Sequence, residues 1–232
     1  MQNRIAVIGL GRFGTSVARR LAEKGAEVIA IDISEDKVED IKDDVAHAIS
    51  MDATDIKTLK SQHIQEVDAA VVSIGRNFEN SVLCTVNLFE LNIKRVIARA
   101  MTDTQKIILE KIGVKDVISP EIEKGITLAD KLLNPGILTY LPLPDEYEIV
   151  EVTTPTKIQD RSIEELNLRK RYNLNLITIM RGTKEINKSN GEECIKQHIL
   201  GIPGPETILQ EHDVLVLMGK EKDVKRFIDI NQ

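Results

Sequence analysis

The sequence has no tryptophan, few other aromatic residues and only two cysteines among its 232 residues. With so few rings, aliphatic side chains must fill the core. Cys84 and Cys194 lie far apart and have neither the spacing of metal ligands nor that of a redox motif, which favours a reducing compartment. No apolar run approaches the roughly 20 residues that a membrane-spanning helix needs. These absences argue against a disulfide scaffold and against a chain that crosses a membrane.

An excess of positive charge is also missing. The formal net charge is -6 at pH 7, so a polyanion would be repelled on average and broad binding to nucleic acid is not expected. A strand pattern begins within four residues of the start, which leaves no room for a cleavable signal with an apolar stretch. We therefore expect a cytoplasmic protein.

Short apolar runs alternate with helical patterns over the first 120 residues. Strands are predicted at 4–8, 27–32, 46–50, 69–73, 95–100 and 116–118, and helices at about 55–62, 77–91 and 103–112. Continuous apolar runs such as 69–74 indicate strands that are buried on both faces, as in a parallel sheet covered by helices. The predicted fold class is α/β, with a Rossmann-like doubly wound parallel sheet.

The pattern changes after Pro120. A helix with an apolar stripe is predicted to end at the breaker Asn134-Pro135-Gly136. The segment ILTYLPLP that follows is too apolar for a free linker, so we expect it to pack against something, with another copy of the chain as one candidate. Short strands and helices then indicate a small α+β lobe, in which we interpret the polar stretch 183–212 as turn and loop. The predicted division is 1–120 for the N-terminal lobe, 121–143 for a crossover helix and linker, and 144–232 for the C-terminal lobe.

A glycine-rich turn, Gly9-Leu-Gly11-Arg-Phe-Gly14, lies directly between the first predicted strand and the first predicted helix. In such a turn the first glycine allows the bend, the second lets phosphate oxygens approach the backbone, and the third lets the helix pack closely on the sheet. Asp32 ends the second strand, where a carboxylate can accept hydrogen bonds from both ribose hydroxyls and would repel a 2′-phosphate. The pattern predicts NAD(H) or ATP/ADP rather than NADP(H), with a purely structural turn as the alternative.

Other residues at the predicted carboxyl edge of the sheet are weaker candidates. Asp52, just past the third strand, is placed to face an adenine edge, but an ordinary loop acid fits the same position. Gly75, at the end of the fourth strand, is equally well explained as a turn. The predicted nucleotide-binding residues are Gly9, Gly11, Arg12, Phe13, Gly14, Asp32, Ile33, Asp52, Ala53, Ser73, Ile74, Gly75, Asn77 and Arg99.

Several motifs together resemble the RCK/KTN domains: GLGRFG, VIAID ending in Asp32, MDAT at 51–54, VVSIG at 71–75, IARA at 97–100 and SPE at 119–121. The C-terminal lobe of that family is similar to SIEELNLRKRYNLNLITIMRG and EHDVLVLMGKEKDVKRF, so the likeness covers nearly the whole chain. It points to the TrkA-type cytosolic regulatory subunits of Ktr/Trk potassium uptake systems. The resemblance implies binding of ATP, ADP or NAD(H), a homodimer formed through the crossover helix, and a ring, often an octamer, beneath a membrane potassium-translocating subunit.

Residue by residue, the resemblance assigns the phosphates to the turn 9–14 and the end of the phosphate chain to Arg12, for which a solvated arginine is the alternative. Arg99 matches a basic position that reaches phosphates, with a surface salt bridge as the alternative. Glu121 matches an acid near a bound divalent cation, Mg²⁺ or Ca²⁺, which it would hold only together with phosphates or a second subunit. The electrostatics of a helix N-terminus explain an acid there equally well.

Some relatives bind cyclic di-AMP between their C-terminal lobes. The matching positions are Leu168, Arg169, Asn175 and Leu176, which would supply apolar walls and polar contacts around an adenine. Asn173 stands where the family often has glycine, and asparagine tolerates the left-handed conformation of that turn. The stretch 183–212 exceeds the usual hairpin connection, and its presence is the main departure from the family near this pocket.

An NAD-dependent oxidoreductase is the alternative function, and a redox-sensing NADH-binding regulator is another. An oxidoreductase needs a proton donor or acceptor at the hydride-transfer site. We interpret the four histidines as surface residues, and none of the three tyrosines has a lysine four positions later. A redox-sensing repressor would need a basic recognition helix, which the sequence does not indicate. We therefore expect a regulator rather than an enzyme.

Overall fold

The computed structural model describes residues 3–75, 77–133, 136–186 and 193–232. The chain forms two compact units, one up to Lys124 and one from Gly125 to Gln232. Within these described ranges no helix combines the length and the apolar character needed to span a membrane. Asn134 and Pro135 of the predicted helix breaker lie outside the described residues.

The N-terminal unit alternates strands with helices. Its strands are β1 (Arg4–Ile8), β2 (Glu27–Asp32), β3 (His47–Ser50), β4 (Ala69–Val72), β5 (Val96–Arg99) and β6 (Asp116–Ile118). Its helices are α1 (Arg12–Glu23), α2 (Glu35–Glu39), α3 (Ile56–Ser61), α4 (Phe78–Glu90) and α5 (Asp103–Lys111), and α6 (Pro120–Leu133) continues into the other unit. The six strands are parallel and lie in the order β3-β2-β1-β4-β5-β6. The predicted doubly wound, Rossmann-like sheet is confirmed.

Apolar clusters cover both faces of this sheet. On β1, Ala6 and Ile8 belong to one cluster and Val7 belongs to the other. Because both faces are buried, the strands appear in the sequence as continuous apolar runs. The chain connections reverse direction at β1, which lies between β2 and β4. Sheets of this kind bind ligands in the crevice at such a reversal, outside the carboxyl ends of the strands.

The C-terminal unit is built on an antiparallel sheet in the order β10-β9-β11-β8-β7. Its strands are β7 (Ile137–Pro142), β8 (Tyr147–Thr153), β9 (Asn175–Ile186), β10 (Glu193–Ile199) and β11 (Val214–Lys220). Its helices are α7 (Ile163–Leu166), α8 (Leu168–Tyr172) and α9 (Glu221–Asn231). Phe227 of α9 packs edge-on against Tyr172 in the core, with ring centroids 5.1 Å apart.

The interpretation of 183–212 as turn and loop was wrong for 183–186 and 193–199, and it was right for 200–212. The stretch contains the end of β9 and all of β10, which pair antiparallel from Met180 and Ile199 to Ile186 and Glu193. The connection 187–192 lies outside the described residues. The polar composition was misleading because β10 is an edge strand, and an edge strand that is exposed needs no apolar alternation. The apolar segment after α6 likewise forms an edge strand, β7, which pairs with β8.

A carboxylate is buried on the core-facing side of β8. Glu148 shares that side with Val150 and Val152 and is only 2% exposed. It lines a cavity of about 150 Å³ together with Asp130 and Glu221. Burial, followed by the negative charges of Glu221 and Asp130, raises the pKa of Glu148 to about 7.

The C-terminal unit is expected to lose stability as the pH rises from about 4.5 to about 7. Folded protein keeps a proton on Glu148 that the unfolded chain releases above the ordinary pKa of 4.5, so rising pH favours unfolding until the folded-state pKa is passed. The expected loss is on the order of 3 kcal/mol at most. Urea unfolding followed by tyrosine fluorescence measures it, because all three tyrosines lie in this unit. Glu148→Gln should flatten the dependence, and an equal slope in both proteins would contradict the assignment.

Candidate functional site

The glycine turn lies between β1 and α1, at the carboxyl edge of the sheet. Gly9 has φ +96°, in the region that favours glycine, and its carbonyl oxygen accepts a hydrogen bond from the Ser73 hydroxyl. A Cβ on Gly14 would collide with that carbonyl oxygen, so this position admits no side chain. No described atom lies within 4 Å of a Cβ built on Gly11. The turn is therefore closely packed at Gly9 and Gly14 and open at Gly11.

Helix α1 begins at Arg12, and its N-cap, Gly11, has no side chain that could cap it. The first N–H groups of a helix have no partner inside the helix, and the helix dipole adds partial positive charge at this end. Arg12 is exposed and takes part in none of the ion pairs found among the described residues. The open turn is therefore suited to an anion such as a phosphate group.

The carboxylate of Asp32, at the end of β2, is tied to the same turn. Its Oδ2 accepts hydrogen bonds from the N–H of Leu10, at 2.7 Å, and from Nζ of Lys37, at 3.0 Å. Its Oδ1 accepts one from the N–H of Ser34, at 2.9 Å. Burial opposes ionisation of Asp32, but the hydrogen bonds from Ser34, Leu10 and Lys37 hold its pKa below the usual value. The carboxylate is thus charged and fixed in orientation beside the turn.

Arg99, at the end of β5, brings a second positive charge to this edge. Its guanidinium lies beside Gly75, and its Cζ is 5.8 Å from the centre of the Phe13 ring. Its Nη2 donates to Glu121 in the first turn of α6. Its Nε is buried and has no hydrogen-bond partner in the described part of the chain. An unpaired buried N–H is costly, so an acceptor such as a phosphate oxygen would stabilise it.

Other predicted residues are engaged locally or stand apart. Oδ1 of Asp52 accepts hydrogen bonds from the N–H and the hydroxyl of Thr54, at 2.9 and 2.7 Å. Ala53 is buried, and the side chain of Asn77 caps α4. Ile33 is 71% exposed directly after β2. Asp52 and Asn77 therefore have local structural roles, and the predictions that they also bind nucleotide stay predictions. Ile74 packs partly against the apolar core.

A metal ion does not fit this edge on protein ligands alone. The structure, in the ranges it describes, contains no group of three His, Cys, Asp or Glu side chains that could hold one. Glu121 pairs with Arg99 instead. Because Mg²⁺ and Ca²⁺ need several oxygen ligands, Glu121 fits a cation only together with phosphate oxygens or a second copy of the chain.

In the C-terminal unit the structure brings two predicted cyclic di-AMP residues into contact. Nε and Nη2 of Arg169 donate to Oδ1 of Asn175, at 3.0 and 2.7 Å. Leu168 is buried in the core of the unit, and Leu176 packs partly against that core. The polar pair is thus already formed, whereas the two leucines contribute to the protein's own interior.

Sequence reasoning did not identify two cationic neighbours of the glycine turn. Lys37 and Arg19 line a cavity of about 250 Å³ together with Leu10, Thr15 and Asp40. A signal for Lys37 was present, since it follows the end of β2 by five residues, in the short helix α2. Arg19 gave no such signal, because only the packing of α1 beside α2 brings it to the cavity.

The chain matches two family domains in sequence. Residues 5–120 match the TrkA-N domain and residues 147–232 match the TrkA-C domain. The chain is also 38% identical over 222 residues to Ktr system potassium uptake protein A of Bacillus subtilis (strain 168), with 96% of this chain and 94% of that protein covered.

Solved structures share the fold. A GsuK channel superposes with a TM-score of 0.67 at 16% identity, covering 98% of this chain and 39% of that chain. A GsuK channel bound to NAD gives 0.51 at 22% identity, covering 99% of this chain and 38% of that chain. This chain therefore spans less than half the length of those channel chains. By its two domains and its relative in Bacillus, the chain belongs to the RCK/KTN family, among the TrkA-type proteins of Ktr and Trk potassium uptake systems.

Proposed function

We propose that this chain is the cytosolic regulatory subunit of a potassium uptake system, in which an adenine nucleotide on the N-terminal unit controls a separate membrane subunit that carries potassium. One observation carries the nucleotide part of the proposal: the N–H of Leu10 donates to Asp32. That bond joins the open, phosphate-facing turn to the carboxylate that would receive the ribose. The relative in Bacillus that is 38% identical is a Ktr system potassium uptake protein, which supports the transport part.

The nucleotide would be ATP/ADP or NAD(H). Its phosphates would lie against Gly11 and the uncapped start of α1, and its ribose hydroxyls would donate to Asp32. The exposed side chain of Ile33 would give the adenine an apolar surface, and Asp52 and Ala53 would lie at the edge of the adenine. A GsuK channel of the same fold has been solved bound to NAD, which supports a nucleotide of this class.

Regulation requires that two nucleotides act differently. ATP and ADP would use the turn in the same way, so only groups that contact the γ-phosphate distinguish them. Arg12 is suited to this because its planar guanidinium can hold two phosphate oxygens. An anion that accepts hydrogen bonds from Arg99 would compete with the carboxylate of Glu121, in the first turn of α6. A tenfold preference is worth about 1.4 kcal/mol per site, and coupled copies in a ring would multiply it.

We place the dimer contact in the crossover helix and linker, residues 121–143. Along the sequence these residues connect the N-terminal lobe, 1–120, to the C-terminal lobe, 144–232. No described residue of α6 is buried in the single chain, and Ile122, Ile126 and Leu133 are exposed. An apolar helix face of this kind is stabilised when a second copy covers it. The homodimers would assemble into a ring, the octamer that the family resemblance implies, at the inner face of the membrane.

A thermal-shift panel on purified protein tests the proposed function. ATP, ADP, NAD or NADH should raise the melting temperature, and a divalent cation should add to the effect of ATP if Glu121 and phosphates share it. A separate response to cyclic di-AMP would favour a second site at the Arg169–Asn175 pair. No response to any adenine compound at millimolar concentration would overturn the proposal.

Arg12→Ala is expected to lower affinity for ATP about tenfold while leaving ADP affinity nearly unchanged, since one charge-assisted contact to the γ-phosphate is lost. Isothermal titration calorimetry measures both constants. Arg20→Ala is the matched control, because Arg20 lies on the same helix but pairs with Glu23, at 2.8 Å. Equal losses for ATP and ADP in the Arg12 variant would remove this residue from the discrimination.

The enzymatic alternatives have their own test. Burial, with a contribution from Asp52, raises the pKa of the Cys84 thiol to about 12, so this thiol is a poor redox or nucleophilic group at neutral pH. Steady oxidation of NADH by the purified protein with a panel of small carbonyl compounds would overturn the regulatory assignment.

A further inference from the structure

The carboxylate of Asp32, which would receive the ribose, already accepts hydrogen bonds from Leu10, Ser34 and Lys37. Each carboxylate oxygen accepts about two hydrogen bonds. Among the residues that the structure describes, Leu10 and Lys37 donate to Oδ2 of Asp32, whereas Ser34 alone donates to Oδ1. Oδ2 is therefore saturated, and Oδ1 has room for one more donor.

The three donors differ in how easily they can leave. The N–H of Leu10 belongs to the glycine turn and that of Ser34 to the N-cap of α2, so neither moves without rearranging the backbone. The side chain of Lys37 is 47% exposed and sits on a flexible stem. Water can therefore solvate its ammonium as it leaves Asp32, which is itself only 7% exposed. Lys37 is thus the donor that a ligand can displace, and the cavity it shares with Asp40 offers its ammonium another carboxylate.

We propose that Lys37 is a specificity-determining residue that competes with the nucleotide ribose for Asp32. The inference rests on the proposed function. A ribose gripped through both vicinal hydroxyls needs one acceptor position on each carboxylate oxygen, so its second hydrogen bond forms only when Lys37 leaves Oδ2. A 2′-deoxyribose offers one hydroxyl, which Oδ1 can accept with Lys37 in place. Lys37 therefore reduces the preference for ribonucleotides over 2′-deoxyribonucleotides.

Calorimetry on the full chain with ATP and 2′-deoxy-ATP tests the competition. In Lys37→Met the Kd for 2′-deoxy-ATP divided by the Kd for ATP should be about fivefold larger than in the unaltered protein. A fivefold change corresponds to the free energy of about one net hydrogen bond. The ratio cancels the lost positive charge, which affects both nucleotides alike. Lys37→Arg keeps a donor and should keep the original ratio. Lys42→Met should also keep it, because Lys42 contributes the same charge but pairs with Glu39.

The outcomes separate this inference from the proposed function. If the ratio of the two Kd values is the same in the unaltered protein and in Lys37→Met, Lys37 does not compete with the ribose and the inference is overturned. A smaller ratio in Lys37→Met would also overturn it, because Lys37 would then support the ribose. If the unaltered protein binds neither these two nucleotides nor NAD(H), the proposed function fails and the inference fails with it; if it binds NAD(H) alone, the proposed function stands and the inference is overturned.

Discussion

Gly11→Asp is expected to lower nucleotide affinity at least about 100-fold, or about 2.7 kcal/mol, and to leave the protein folded. Gly11 has φ -74°, which any residue adopts, and no described atom lies within 4 Å of an added Cβ. The side chain therefore has room. Its carboxylate would stand where the phosphates approach the uncapped end of α1, and like charges at such short range repel strongly.

Two other glycine substitutions serve as comparisons for Gly11→Asp. Gly11→Ala adds the Cβ without the charge and should cost far less affinity. Gly14→Ala should instead damage the fold, because its Cβ would collide with the carbonyl oxygen of Gly9. Calorimetry with ATP, ADP and NAD measures binding, and circular dichroism melting measures folding. If Gly11→Asp binds nucleotide like the unaltered protein, the phosphates do not lie on this turn.

The N-terminal sheet could be predicted because the patterns that indicate it involve residues that are close together in the sequence. Strands buried on both faces must be apolar throughout, and a strand, a glycine turn and a helix in immediate succession leave few alternatives to the geometry seen at Gly9 and Gly14. The acid at the end of β2 follows from the same spacing. The sequence therefore predicts both the sheet and the backbone of the candidate site.

The contacts that tune the site could not be predicted in this way. Arg99 and Glu121 lie 22 residues apart in the sequence. They meet only because the end of β5 and the start of α6 lie at the same edge of the sheet. The five-residue spacing marks Lys37 as a neighbour of Asp32, but its bond to Oδ2 depends on how α2 folds back toward β2. Such side-chain pairings depend on tertiary packing, for which a single sequence carries no periodic signal.

The C-terminal unit shows the same division between pattern and packing. Glu148 shares the period of Val150 and Val152 along β8, so alternation alone would have placed this acid toward the core. Strand β10 could not be predicted because an exposed edge strand is under little pressure to be apolar. In this unit, edge position, which the sequence does not reveal, left β10 unrecognised.

Arg181→Met is expected to destabilise the C-terminal unit by about 3 kcal/mol, because it removes the cationic partner of a buried carboxylate. Nε and Nη2 of Arg181 donate to the two carboxylate oxygens of Asp213, at 2.9 and 2.7 Å, and Asp213 is almost fully buried. Arg181 also donates to the carbonyl oxygen of Ile208, at 2.8 Å. Its loss would leave a buried carboxylate whose one remaining donor among the described residues is the N–H of Gln210, at 2.9 Å.

Urea unfolding followed by tyrosine fluorescence measures this loss, since the three tyrosines report on this unit alone. Arg226→Met is the control, because Arg226 is exposed and, within the described part of the chain, donates only to a backbone carbonyl oxygen, at 3.3 Å. The double variant with Asp213→Asn should recover part of the loss, because the amide removes the unpaired charge. A loss below about 1 kcal/mol in Arg181→Met would place this pair with ordinary surface salt bridges and contradict its role as the anchor between β9 and the turn before β11.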